Sequence, residues 1–94
     1  MTKDELREQL RGQIPDLRKK RDAAESSEAD KQAAKDAIEA IRNAVRDINI
    51  AAADELGGKV DALIKGLDAV LEKHKLDAVS ALRRTIKEIR KKLP

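Results

Sequence analysis

From position 34 to 52 the apolar residues Ala34, Ala37, Ile38, Ile41, Val45, Ile48 and Ala52 recur at steps of three and four. A helix of 3.6 residues per turn gathers all of them onto one stripe, whereas a strand would divide them between two faces. The spacing therefore predicts one helix from about Glu28 to Leu56. Gly57 and Gly58 are expected to close it, because glycine takes the left-handed cap conformation without steric cost. At about 1.5 Å of rise per residue such a helix is about 40 Å long, more than the diameter of a compact ball of this chain, so an elongated bundle is expected.

Helix signals flank this segment on both sides. Thr2 and Glu5 form a capping-box pattern ahead of Leu6 and Leu10, while Gly12 followed by Pro15 predicts a kink at 12–15 with Gln13 and Ile14 extended. The pattern resumes through Leu17 to about Glu25, and Ser27 with Asp30 offers the next N-cap. Past the glycines, Val60, Leu63, Ile64, Leu67, Val70 and Leu71 share one face. The later set Leu76, Val79, Leu82, Ile86, Ile89 and Leu93 lies about a quarter turn further round, so either the helix continues and twists around its partners or, the favoured alternative, it breaks near His74–Leu76 with Asp77 as the new cap. The expected fold is all-α: a single domain over 1–94, an elongated antiparallel bundle of three long helices, the first and last split, in three to five segments.

What fills the interior is restricted. The chain has no Phe, Trp, Tyr or Cys, so 22 Leu, Ile and Val side chains must form the core, and 18 of them lie from Ile38 onward. Between Arg18 and Ala37 only alanines are apolar, which suits close helix approach or, alternatively, a segment held by a second copy. Small aliphatic cores without disulfides are commonly completed by very regular helix packing or by oligomerisation, so a homo-oligomer or a helical protein partner is expected. An aromatic-free composition also fits a de novo designed protein whose function is its fold. No run approaches the ~18 apolar residues of a membrane span, and the N-terminus is charged from Lys3 onward, so a soluble, cytoplasmic protein without a signal peptide is expected.

Catalytic groups are sparse. The only histidine is His74, in the charged stretch Glu72-Lys73-His74-Lys75, where it reads as an exposed helix-end residue; Ser80 is six places on and far round a helix from it. A di-iron bundle needs Glu-x-x-His on two helices, and here Glu72 and His74 are two apart with no second histidine. Gly57-Gly58-Lys59 lacks the longer loop and the Ser or Thr of a phosphate-binding P-loop. No catalytic, metal or cofactor-binding residue is assigned, no small-molecule substrate is expected, and the chain is read as a non-enzyme.

Charge offers better candidates. Arg18-Lys19-Lys20-Arg21 is one basic cluster; the other is residues 83–94, where Arg83, Arg84, Lys87, Arg90, Lys91 and Lys92 against Glu88 give a local charge of +5. Residues 23–82 hold 8 basic and 12 acidic groups, a balance of −4. The basic clusters read as a solvated helix face, as pairs for the acidic middle within the chain or between copies, or, through Arg83, Arg84, Lys87, Arg90 and Lys91, as a candidate contact for an anionic partner such as nucleic acid or a membrane surface. Against this stand the net charge of only +3 and the lack of aromatics to stack on bases. Ile50 lies about 180° from the stripe of its own helix, beside Glu39, Asn43 and Asp54, and is the candidate self-association contact.

Two short pieces, Leu10-Arg11 with Ile14 and His74-Lys75-Leu76-Asp77-Ala78, resemble segments of the helical chorismate mutases. The resemblance implies a helical fold and a dicarboxylate bound by cationic side chains. It is confined to these eight residues, and their separation fits that family only with a large insertion, so no catalytic residue is carried over. The leading expectation is a structural scaffold or protein-interaction module; the alternative is a weakly basic binder of an anionic partner.

Overall fold

In the computed structural model, which describes all residues from Met1 to Pro94, the helices are α1 (Lys3–Arg11), α2 (Ile14–Asp22), α3 (Glu28–Ile50), α4 (Leu56–Lys73) and α5 (Asp77–Lys91), with a 3-10 turn at Ala53–Glu55. α1 and α3 start where a side chain gives their free amides a partner, and α2, α4 and α5 start after a kink or turn of the chain. Helix makes up 82% of the chain and there is no strand. The Thr2 hydroxyl accepts from the Glu5 amide at 3.1 Å while the Thr2 amide donates to the Glu5 carboxylate at 3.3 Å, closing the capping box. Hydrogen bonding to Thr2, through its side chain first and its backbone second, also holds the Glu5 carboxyl below its ordinary pKa. Ser27 accepts from the Asp30 amide at 3.1 Å and so opens α3.

The first kink is tighter than expected. Gln13 is not extended but lies in the right-handed helical region (φ −85°, ψ −14°), Ile14 already begins α2, and Pro15 occupies its first turn, where its missing N–H costs nothing. α1 and α2 thus form one bent arm, with Leu6, Leu10, Ile14 and Leu17 buried along its inner side.

The end of α3 also differs. The helix stops at Ile50, six residues before the expected end, because Ala51 turns extended (φ −82°, ψ 150°) and the Glu55 carboxylate takes the Ala52 amide at 2.9 Å. Ala52, assigned to the apolar stripe from the sequence, is exposed in this turn, and Ala51 is buried instead. Gly57 and Gly58 lie inside the first turn of α4, with no positive φ anywhere in the chain. Gly57 serves close approach: a Cβ there would stand 2.7 Å from the guanidinium carbon of Arg90 on α5.

The break at His74–Leu76 reverses the chain, with Leu76 rather than Asp77 in the cap position. Arg83 pairs with Asp68 and Arg90 with Asp61, so seven steps forward along α5 match seven steps back along α4. These two helices are an antiparallel hairpin, and the bundle has four arms rather than three. α3 is its hub, contacted by α1, α2 and α4, while α5 packs mainly on α4 and touches α2 and α3 more lightly. One continuous core of aliphatic side chains runs through a body of 41 × 22 × 19 Å.

Candidate anion-binding groove

The cations singled out at the C-terminal end are largely engaged. Arg83 and Arg90 bind Asp68 and Asp61 across the α4–α5 hairpin, and Lys91 Nζ donates to Glu88 at 3.1 Å, leaving Arg84 and Lys87 exposed without an ion pair. Of these five residues, Arg83 and Arg90 therefore serve as hairpin ties. Ile50, at the last position of α3, is 82% exposed; Met1 is the only other large apolar side chain left in solvent. His74 is not a free surface group: its Nε2 meets the Asp30 carboxylate at 2.5 Å, joining the end of α4 to the start of α3. The hydrogen bond to His74 is the main cause that holds the Asp30 carboxyl below its ordinary 3.8, against partial desolvation.

A different set of cations converges where α1 and α2 lie along α3. Arg7 and Arg11 are one helical turn apart on α1, and Arg42 and Arg46 are one turn apart on α3, so each pair projects from one side of its helix. With Arg18 of α2 they line a groove of about 520 Å³ whose floor is Ile14, Pro15 and Val45. One end is fixed. Arg7 reaches the Asp4 carboxylate with one Nη and the Asn49 side-chain oxygen with the other, and Lys3 Nζ donates to the Asn49 carbonyl at 3.4 Å. The Arg7 Nε is buried without an acceptor.

The other four arginines carry no such partner. None of the molecule's six ion pairs involves Arg11, Arg18, Arg42 or Arg46, and all four are exposed. Like charges at i and i+4 disfavour a helix by a few tenths of a kcal/mol; Asp4 offsets this for Arg7 and Arg11, whereas Arg42 and Arg46 have no ion pair, so counterions or a bound anion would relieve their repulsion. The guanidinium fork matches a carboxylate or phosphate with two parallel N–H donors, which makes the groove chemically suited to oxyanions.

Of these arginines the sequence points to Arg18 through its basic cluster and to Arg11 only through the resemblance to chorismate mutases. The remaining signal was present as arginine doublets at a step of four, 7/11 and 42/46, but they lie 31 residues apart and only the folding of α1 onto α3 joins them. The two segments resembling chorismate mutases end up on separate elements, one on the α1–α2 arm and the other at the α4–α5 turn. No group of three or more His, Cys, Asp or Glu side chains converges anywhere on the chain. Compared with known protein families, curated proteins and solved structures, the chain matches none.

Proposed function

We propose that this chain is a non-enzymatic helical binding module that takes up an anionic partner in the arginine-lined groove between the α1–α2 arm and α3. The observation that carries the reading is the convergence of Arg11, Arg18, Arg42 and Arg46, four exposed cations without an ion pair, around an apolar floor. Evenly solvated surfaces intersperse both signs, and this one does not. Elsewhere Arg21, Arg83, Arg90 and Lys91 are held in ion pairs, and the remaining unpaired cations do not line this groove.

Sodium tripolyphosphate, titrated while the arginine side-chain Nε–Hε resonances are followed by NMR, tests the reading. The expected result is saturable shifts of Arg11, Arg18, Arg42 and Arg46 and weaker binding at higher ionic strength. Arg42→Gln with Arg46→Gln should weaken binding at least about tenfold, since a hydrogen bond to a charged group contributes ~1.5–3 kcal/mol. Shifts spread evenly over all arginines, or confined to Arg84 and the C-terminal helix, would overturn it.

Self-association, expected from the sparse aliphatic content, finds less support. Of the 22 large aliphatic side chains all but Ile50, Ile64 and Leu71 are buried within one chain, and Ile64 and Leu71 are partly so. Ile50 alone remains as an apolar contact for a second copy or a helical partner.

A further inference from the structure

We infer that the occupant of this groove is the sugar-phosphate backbone of a nucleic-acid duplex, held by a basic track that runs along α3 from Asn49 to Lys35. The inference rests on the anion-binding reading above and adds the class of partner to it. The track is longer than the groove. A second depression of about 300 Å³ continues the first along the seam between α2 and α3; it shares Arg42 and Arg46 with it and adds Arg21 and Lys35. Glu39 is the one carboxylate that lines either depression.

From Lys35 to Asn49 is fourteen residues of α3, about 21 Å at 1.5 Å of rise each. Successive phosphates of one duplex strand advance about 3.4 Å along the axis, so the track spans roughly six of them. A compact anion such as a single phosphate or a dicarboxylate would occupy only the first depression and leave Lys35 unused, along with Arg21, which Asp22 holds in an ion pair. The chain has no aromatic side chain to stack on unpaired bases, which removes the usual means of gripping a single strand. A membrane surface would ask for apolar anchors beside the cations, and the two exposed large apolar side chains, Met1 and Ile50, do not line the track. Paired bases held through their backbone need neither device. Arginine and lysine contacts to phosphate fix position without reading sequence, so binding should be indifferent to base order.

The experiment is fluorescence anisotropy with labelled 20-base-pair duplexes, one of DNA and one of RNA, at 50 to 200 mM NaCl. With four unpaired arginines each neutralising a phosphate, the logarithm of affinity should fall against the logarithm of salt with a slope near about −3.6, or roughly 150-fold over that range. Arg42→Gln with Arg46→Gln should remove about half of that slope. Arg84→Gln with Lys87→Gln, which removes the same charge from α5, should leave it nearly unchanged. Circular dichroism of both variants guards against loss of fold. Preference for one of the two duplexes identifies the source of the backbone, and either supports the inference.

Equal loss in both variants would mean diffuse charge attraction and would overturn the track. Tripolyphosphate binding that is lost in the Arg42/Arg46 variant, without measurable duplex binding, would overturn the nucleic-acid inference and leave the anion-binding reading standing. Absence of both tripolyphosphate and duplex binding by the unaltered protein would overturn both.

Discussion

Single side chains carry sharp expectations because most of them do only one thing. Gly58 lies in the first turn of α4 with nothing within 4 Å of where a Cβ would stand, and the corresponding position at Gly66 would meet only Ala40 Cβ at 3.8 Å. Neither has a positive φ. Gly58→Ala and Gly66→Ala should therefore each stabilise the fold by about 0.5–1 kcal/mol, read as a higher midpoint in urea, because alanine has less backbone entropy to lose. Ser26 is buried with a hydroxyl that has no partner, and Ser26→Ala should be neutral or stabilising by up to ~1 kcal/mol in the same assay. The Asp30 carboxyl gives a pH dependence of known sign. Its folded value is lowered, so between that value and 3.8 the unfolded chain binds more protons. The stabilisation is complete above 3.8 and is lost as the pH falls through the folded value. His74→Ala should raise the Asp30 titration observed by carbon NMR, and the stability gap between the two proteins should shrink on acidification. An unmoved titration would mean that the contact is absent in solution.

Among the elements, those set by local chemistry were legible and those set by distant contacts were not. Thr2 and Ser27 are read correctly as caps because the amides they satisfy are three residues away. The end of α3 is misread because two glycines look like punctuation, while the actual stop depends on Ala51 turning extended and Glu55 reaching back to Ala52. The quarter-turn offset between the stripes of α4 and α5 correctly marks a break. It does not give the direction of the chain beyond it, since two separate helices need not share a phase. α3 also separates core from surface within three residues. Ile48 is fully buried and Ile50 is 82% exposed, so Ile48→Ala should cost about 2–5 kcal/mol in denaturant unfolding, whereas Ile50→Ala should stay within about 0.5 kcal/mol. A large effect at Ile50 would point to a second copy covering it.

For the molecule as a whole, the aliphatic core closes within one chain. Light scattering should therefore return about 10.4 kDa across a wide concentration range, with helicity by circular dichroism unchanged on dilution. A heavier species that loses helicity as it dissociates would instead restore the shared core that the sparse first third of the sequence suggested. The candidate site belongs to this scale too, since the α1 and α3 arginines share a groove only after the bent first arm has docked. Composition was a poor guide to it: a net charge of +3 conceals a face with four unpaired cations.

The order of packing has a kinetic consequence. The first arm lies on α3, α3 on α4 and α4 on α5, so every large interface joins successive arms of the chain, and the lighter contacts of α5 with α2 and α3 skip at least one arm. Loops of that kind close early and at little entropic cost, which places folding in the microsecond-to-millisecond range typical of helical bundles of low contact order. Docking of the first arm is then a step between sequence neighbours, and the arginine groove forms on the same timescale as the fold itself.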